Sequence, residues 1–312
     1  MSRLSFVIPC YRSERTIEGV VHEIKKTMSM HKNDEYEIIL VNDCSPDNTL
    51  DVIRKLASEN NNIIGIDMAK NFGQHAALMA GMRETTGDYV VCLDDDGQTP
   101  ADEVYKLIDK TKEGYDVVYA SYPSKKHSLF RNFGSRVNSK MTEWLLGKPK
   151  ELYISSYFVA KRYVVDEMVK YGNPFPYVIG LVLRTTKHIT CVPVTHRERE
   201  EGTSGYTFSK LLNLWINGFT AFSVKPLRIA TVMGLISAFF GFCYSIYALI
   251  NKLCNPAAPM GWTSTIIILL MLGGMILAVL GLIGEYIGRI YISMNNSPQY
   301  VVRERINGAG TN

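Results

Sequence analysis

The sequence predicts an α/β fold with a mostly parallel sheet, followed by helices that cross a membrane. Two observations lead to this prediction. Over about the first 120 residues, short apolar runs alternate with amphipathic stretches, which is the pattern of strands joined by crossover helices. Further along, two apolar runs without a charge occupy residues 229–250 and 263–284. We therefore expect a ligand-binding α/β domain first and a membrane hairpin after it.

Five strands are predicted in the first part of the chain, at the runs LSFVIPC, EIILVND, IIGIDM, YVVCLDD and DVVYAS. Helices are expected between them, over 14–30 and beginning near residues 48, 73 and 101. The pattern then loosens, with a helix expected from about 130 and strands near 153–160 and 188–194. Ligands of parallel sheets gather beyond the carboxyl ends of the strands. Three polar loops should therefore meet in one crevice: 9–14, 42–47 and 94–98.

Composition narrows the class of protein. The formal net charge of +4 is mild for 312 residues and indicates no nucleic-acid partner, while 46% apolar residues suffice for a sizeable core. The six cysteines form no CxxC pair, which favours a reduced domain facing the cytosol. The beginning of the chain, MSRLSFVIPCYRSE, has no apolar segment followed by a cleavage site, so it is not expected to be a secretory signal.

The two apolar runs have 22 residues each, so each helix would be about 33 Å long, the thickness of a bilayer's hydrocarbon core. Buried core helices are the alternative. Basic residues flank the pair and only Lys252 lies between the runs, so both termini are expected in the cytoplasm; the flanking residues are Lys210, Lys225, Arg228, Arg289, Arg303 and Arg305. Apolar residues at helical spacing predict an interfacial amphipathic helix over 207–228, with a core-facing helix as the alternative.

Three adjacent acids follow the fourth strand, in the run VVCLDDDGQTP. Asp94 and Asp96 have the D-x-D spacing that can hold a hard divalent cation alongside substrate phosphates. The alternative is a solvated turn before a helix that begins at Thr99-Pro100. The glycine position excludes an EF-hand, and the histidines have no zinc-ligand spacing. The GxGxxG and GxxxxGK[ST] motifs are absent from the sequence, which disfavours dehydrogenases and P-loop enzymes.

Six segments in this order resemble the polyprenyl-phosphate glycosyltransferases of glycosyltransferase family 2: FVIPCYRSE, ILVNDCSPDNT, NFGQHAALMAG, LDDDGQTP, REREEGTSGYTFSKLLNLW and GEYIGRIY. The resemblance covers nearly the whole chain. It implies a cytoplasmic GT-A nucleotide-sugar-binding domain over 1–206, the interfacial helix, two transmembrane helices over 229–250 and 263–284, and a cytoplasmic tail over 285–312.

The resemblance also implies roles for individual residues. Four would line the nucleoside pocket, namely Pro9, Tyr11, Glu14 and Asp43. Asp94, Asp96 and Gln98 would hold Mg²⁺ or Mn²⁺ on the donor diphosphate, and Asp95 would lie beside the nucleotide, where relatives usually have a small residue. Arg131, Ser135 and Arg136 match positions near the acceptor phosphate, and Arg199 matches an arginine near the donor phosphates. Asp96, Arg131 and Arg199 are the implied catalytic residues.

The implied reaction is an inverting, metal-dependent transfer of a sugar from a nucleotide donor, expected to be UDP-linked. The acceptor would be a polyprenyl phosphate, undecaprenyl phosphate in particular, at the cytoplasmic face of the inner membrane, and the enzyme is expected to form a homo-oligomer. The chain departs from the family pattern at Arg12, usually asparagine, at 202–206, where a lysine is missing, and at 154–156, where an aspartate is missing.

Two other functions stay open. A membrane-anchored nucleotide-sugar-binding protein with lost turnover would explain the missing lysine and aspartate. A polysaccharide synthase would share the early motifs, but the sequence has neither the QxxRW segment nor the additional spans of those enzymes.

Overall fold

The structure is a computed structural model that describes residues 1–122, 143, 147–195, 225–254, 261–295 and 297–307. The described residues form two compact units. The first contains residues 1–195 and 297–307 within those ranges, and the second contains 225–254 and 261–295.

The first unit is built on a sheet with eight strands in the described residues. They are β1 Arg3–Cys10, β2 Glu35–Asn42, β3 Ile63–Met68, β4 Tyr89–Cys92, β5 Val117–Ser121, β6 Phe158–Lys161, β7 Ile189–Pro193 and β8 Val302–Ile306. Their order in the sheet is β7-β5-β6-β4-β1-β2-β3-β8. The pairs β1–β2, β1–β4, β2–β3 and β5–β7 are parallel, whereas β6 and β8 pair antiparallel with their neighbours. The predicted mostly parallel sheet is confirmed.

Helices connect the strands, and the alternating pattern predicts the first four but not the two between β6 and β7. They are α1 Ile17–Met30, α2 Thr49–Glu59, α3 Gln74–Glu84, α4 Val104–Lys112 after a 3₁₀ turn at Ala101–Glu103, α5 Arg162–Val169 and α6 Val178–Thr185. The apolar faces of α1, α2 and α4 pack with the buried side chains of β1 and β2 into one hydrophobic core. The chain returns through a helix between parallel strands, so the carboxyl ends of β1, β2, β3 and β4 lie at the same edge.

The close packing of α3 on the sheet depends on a glycine. A Cβ on Gly81 would lie 2.5 Å from Val7 Cγ1 and 3.0 Å from Val41 Cγ2, so a larger residue would push the helix away from β1 and β2. The strand expected near 153–160 is present but shorter, because β6 begins only at Phe158. The helix expected from about 130 and most of the segment 207–228 lie outside the described residues.

The segment 285–312, expected to be a cytoplasmic tail, contains regular structure in its described residues. A helix continues to Met294, and Val302–Ile306 pairs antiparallel with β3 as the edge strand of the sheet. Ile306 packs against Gly65, whose missing side chain makes room for it and for Ile53. The charged sequence VRERI was not predicted as a strand, because its apolar residues gain burial only against β3.

The second unit contains two long helices, α7 Lys225–Cys254 and α8 Trp262–Met294. Each includes the apolar run expected at 229–250 or 263–284. Candidate spans are Leu227–Tyr244, with a mean hydropathy of 1.6, and Met271–Met294, with a mean hydropathy of 1.8. Neither span is buried inside the protein, unlike the core helix of a soluble domain. By length and composition, both helices can cross a membrane.

Candidate active site

The carboxyl edge of the sheet brings the three predicted polar loops together. Cys10, Asn42 and Asp67 pair in one row across β1, β2 and β3, and β4 continues into the acidic loop directly beside β1. The loops that follow these strands therefore start from neighbouring positions. The predicted convergence of 9–14, 42–47 and 94–98 is confirmed.

Asp94 is held by two side chains from other parts of the chain. Gln74 Nε2, at the start of α3, donates to Asp94 Oδ1 at 2.9 Å, and the hydroxyl of Ser156 donates to Oδ2. Burial raises the pKa of Asp94 to about 6, the charges of Asp96 and Asp95 add to that rise, and the two hydrogen bonds oppose it. The carboxylate is therefore fixed in orientation, and its pKa is closer to neutral pH than that of an exposed aspartate.

The acidic loop has the oxygen donors that a hard divalent cation prefers. Asp94 and Asp96 contribute carboxylates and Gln98 an amide oxygen, while the backbone N–H of Gln98 donates to Asp96 Oδ1 at 3.1 Å. Within the described ranges, no group of three or more histidine, cysteine or acidic side chains forms a metal cluster. Mg²⁺ is commonly bound by one or two carboxylates together with substrate phosphates, so this donor set fits such an ion.

The Asp95 carboxylate is hydrogen-bonded to the loop after β1. Its Oδ2 accepts a hydrogen bond from the backbone N–H of Tyr11 at 3.1 Å and another from the hydroxyl of Ser13. Burial raises the pKa of Asp95, and these two hydrogen bonds counteract that rise. The charge that has no counterpart in the family pattern thus ties the acidic loop to the β1 loop.

Asp43 follows β2, and its carboxylate is buried. The backbone N–H groups of Phe72 and Gly73 donate to its Oδ1 and Oδ2 at 2.7 and 2.9 Å, and Asn71 Nδ2 donates to its carbonyl at 3.2 Å. Burial raises the pKa of Asp43, opposed by the two backbone donors. Each carboxylate oxygen has a second lone pair, so the side chain can still accept a hydrogen bond from the base of a nucleotide.

The other residues predicted for the nucleoside pocket surround the same edge. Pro9 is buried at the end of β1, whereas the Tyr11 side chain is half-exposed. Glu14 Oε2 accepts a hydrogen bond from the backbone N–H of Asn48 at 3.1 Å, which connects the β1 and β2 loops. The structure therefore brings Pro9, Tyr11, Glu14 and Asp43 into one region.

Two non-glycine residues at this edge have left-handed backbones, Arg12 with φ 61° and Cys44 with φ 53°. Asparagine tolerates this conformation better than arginine does, which gives a physical reason for the family's usual asparagine at position 12. Here the backbone N–H of Arg12 donates to Ser45 Oγ at 3.1 Å. Neighbouring loops stabilise a conformation that arginine disfavours.

Four residues expected near the phosphates lie outside the described residues: Arg131, Ser135, Arg136 and Arg199. The segment 202–206 lies there too. Sequence reasoning missed the contacts made by Gln74, Ser156 and Ser13. Gln74 stands within the NFGQHAALMAG segment that resembles the family, but the segment gave no indication of its partner.

Comparison with known proteins agrees with this geometry. A model described as glycosyl transferase family 2 matches residues 5–168, more than half of the chain. The chain belongs to glycosyltransferase family 2. A second model, the GtrB C-terminal hairpin, matches residues 225–290 of this glycosyltransferase, which include all of α7 and most of α8. The resemblance to the polyprenyl-phosphate members is thereby confirmed.

Two relatives align with this glycosyltransferase over nearly their whole length. The uncharacterized glycosyltransferase YkcC of Bacillus subtilis is 33% identical, over 96% of this chain and 93% of its own. The undecaprenyl-phosphate 4-deoxy-4-formamido-L-arabinose transferase of Proteus mirabilis is 32% identical, over 97% of this chain and 94% of its own.

Solved structures share the fold. A mycobacterial protein superposes with a TM-score of 0.54 at 18% identity, covering 71% of this chain and 75% of its own. Glucosyl-3-phosphoglycerate synthase from Mycobacterium tuberculosis, solved with phosphoglyceric acid, superposes with a TM-score of 0.50 at 19% identity, covering 69% of this chain and 78% of its own. At these identities the likeness concerns the GT-A-like sheet alone.

Proposed function

We propose that this glycosyltransferase moves a sugar from a UDP-linked donor to undecaprenyl phosphate at the cytoplasmic face of the inner membrane, with inversion at the anomeric carbon. The observation that carries the proposal is the convergence of the β1, β2 and acidic loops, with Asp94 and Asp96 at the edge where a nucleotide would bind. The acceptor is inferred from the hairpin match and from the name of a relative that is 32% identical.

Asp94 and Asp96 would hold Mg²⁺ or Mn²⁺, and Gln98 would complete the protein's share of the ligands. The chemistry that such a cation supplies is neutralisation of the charge on the departing diphosphate. Gln74 and Ser156 keep the Asp94 carboxylate in place, and Asp43 is positioned to accept a hydrogen bond from the base. Arg131, Ser135 and Arg136 would bind the acceptor phosphate, and Arg199 the donor phosphates.

The attacking oxygen belongs to a phosphate monoester, which is already anionic near neutral pH, so a general base adds little. The absence of the family pattern's aspartate at 154–156 fits this reasoning, and Ser156 in that segment donates its hydroxyl to Asp94. One direct displacement inverts the configuration of the sugar.

The pairing of β8 with β3 supports the proposed topology. Residues 302–306 are hydrogen-bonded into the same sheet as residues 3–10, although α7 and α8 lie between them in the chain. This pairing supports the proposal that both sequences lie on one side of the membrane, an arrangement that two crossings allow and one crossing does not. The basic residues beside the hairpin favour the cytoplasm as that side. Assembly into a homo-oligomer is part of the proposal.

The test is transfer of labelled sugar by purified protein in bilayers containing undecaprenyl phosphate, with Mg²⁺ or Mn²⁺ and a panel of UDP- and GDP-linked donors. We expect product from a UDP-sugar, with chelation and Asp96→Ala each abolishing transfer. Asp109→Ala is the matched control, since Asp109 is an exposed acid on α4 that pairs with Lys112 at 2.9 Å. Donor binding without transfer would favour a binding protein, a polymeric product would favour a polysaccharide synthase, and full activity after chelation would contradict the metal.

A further inference from the structure

The last strand of the described chain brings an arginine to the nucleotide edge of the sheet. Arg303, on β8, donates from Nε to Asp67 Oδ2 at 2.6 Å. The Asp67 side chain is fully buried, whereas the Arg303 side chain is 56% exposed. The hydrogen bond and charge of Asp67 raise the pKa of the Arg303 guanidinium. The guanidinium of Arg303, which follows α7 and α8 in the sequence, thus compensates the negative charge of the Asp67 carboxylate, which is buried beneath the site.

Hydrogen bonds continue from Asp67 into the β2 loop. Asn42 Nδ2 donates to Asp67 Oδ1 at 2.8 Å, and Asn42 Oδ1 accepts from the backbone N–H of Ser45 at 3.2 Å. Asn42 is buried, so its amide has few alternative partners. The orientation of the Asn42 amide is therefore determined by Asp67 on one side and Ser45 on the other.

From Ser45 the contacts reach the β1 loop. Ser45 Oγ accepts a hydrogen bond from the backbone N–H of Arg12 at 3.1 Å, at the left-handed turn described above. The next residue back, Tyr11, donates its backbone N–H to Asp95 in the acidic loop. One connected series of contacts therefore runs from Arg303 to the loop that carries Tyr11 and Glu14.

We propose that Arg303 is a positioning residue for the nucleotide site, acting through Asp67, Asn42 and Ser45 on the β1 loop. This inference rests on the proposed function for its kinetic consequence, but its structural consequence can be measured separately. Removing Arg303 leaves Asn42 as the one side-chain donor to Asp67 among the described contacts. The Asp67 carboxylate that orients Asn42 is then less firmly held, and so, through Asn42 and Ser45, is the backbone of Arg12.

The experiment compares full-length Arg303→Ala, Arg303→Lys and Arg305→Ala in bilayers. Arg305 is the matched control, because it lies on the same strand and pairs with Glu84 at 3.0 Å, away from Asp67. For Arg303→Ala we expect donor KM to rise on the order of tenfold with little change in kcat, as for residues that orient binding groups through hydrogen bonds. Lysine should restore part of the loss because it keeps the charge, and Arg305→Ala should leave donor KM unchanged.

Amide hydrogen exchange provides a readout that needs no turnover. We expect faster exchange in a peptide covering 10–16 in Arg303→Ala, and exchange at the wild-type rate there in Arg305→Ala. Equal exchange in both variants, or equal KM values, would overturn the inference. If Arg303→Ala does not fold, Arg303→Gln with Asp67→Asn replaces it: the pair should be less damaging than Arg303→Gln alone, and additive effects would overturn the coupling. Absence of transfer by the wild type would contradict the proposed function and leave the exchange result to decide the role of Arg303.

Discussion

The carboxylate of Asp95 accepts a hydrogen bond from the hydroxyl of Ser13, which lies 82 residues earlier in the chain. The same oxygen accepts from the backbone N–H of Tyr11, so one side chain fixes the β1 loop at two points. Asp94 and Asp96, on either side, belong to the proposed cation site. Adjacent acids in the same loop thus serve different purposes.

Asp95→Ala is expected to raise donor KM by about tenfold while the dependence of activity on Mg²⁺ concentration stays as in the wild type. Asp95→Asn should be close to wild type, because both donors use one oxygen that an amide can reproduce. Steady-state kinetics at varied donor and varied metal separate the two effects. A changed metal dependence in Asp95→Ala would instead place Asp95 among the metal ligands.

Replacing Arg12 by asparagine should partly restore donor binding in the Asp95→Ala variant, so that its donor KM falls toward the wild-type value. Asparagine adopts the left-handed conformation of residue 12 more readily, so the β1 loop would depend less on external support. The measurement is donor KM in the single and double variants. If Arg12→Asn adds a further loss of donor binding to Asp95→Ala, the two residues do not compensate in this way.

Ser156→Ala should move the acidic limb of the pH–activity profile to higher pH. Burial is the larger effect and raises the pKa of Asp94 to about 6, whereas the Ser156 hydrogen bond lowers it, so removing the hydroxyl raises the pKa further. Because the ionised carboxylate is the form that binds a cation, activity should begin at a higher pH. The profile is measured from pH 5 to 8 at fixed Mg²⁺.

Ser155→Ala is the neighbouring control for that profile. The Ser155 hydroxyl lies 2.8 Å from the carbonyl oxygens of Ala120 and Tyr157, so it affects the backbone before β6 rather than the Asp94 carboxylate. Its acidic limb should match the wild type. An unchanged profile in Ser156→Ala, or an equal shift in both variants, would contradict the assigned contact.

His75→Phe should reduce the loss of stability in acid. Burial lowers the pKa of His75 to about 4, and in the described part of the chain its Nδ1 has no hydrogen-bond partner. The unfolded chain takes up a proton below about pH 6.5, whereas the folded protein does so only near pH 4, so stability falls as pH decreases through this window, by about 3 kcal/mol at most.

Phenylalanine keeps the edge-to-face contact with Tyr177, whose ring centroid is 5.1 Å from that of His75. The measurement is the free energy of unfolding of the first unit, from pH 4 to 7, in wild type and variant. The raised pKa of Asp94 affects stability in the opposite direction. Because it is the same in wild type and His75→Phe, it cancels when the two stability curves are subtracted. Parallel curves would show that His75 titrates normally.

Gly81→Ala should destabilise the first unit by about 1–3 kcal/mol, because the new methyl group would overlap Val7 and Val41. Gly19→Ala is the matched control, since Gly19 is in α1 and a Cβ added there would meet no neighbouring described atom within 4 Å. There alanine should stabilise by about 0.5–1 kcal/mol, as in an exposed helix interior. Denaturant titration of both variants checks the sign of each change.

Much of the fold could be predicted because buried parallel strands have nearly continuous apolar sequences. The runs at β1, β2, β3 and β4 can be recognised as strands from their local sequence alone. The position of the site followed as well, since parallel strands joined by crossover helices put their carboxyl ends at one edge. Asp94 and Asp96 could be assigned to it from their position directly after β4.

The sequence alone determined β1 to β5 with their helices, the two long apolar helices and the edge at which the acids gather, because each depends on local hydrophobic patterns or on spacing within a few residues. The tertiary structure decided which side chains hold those acids, and it placed VRERI in the sheet. Contacts such as Asp95 with Ser13, or Arg303 with Asp67, join residues 82 and 236 positions apart. No local pattern encodes such partners, since the folding of the whole sheet is what brings them within hydrogen-bond distance.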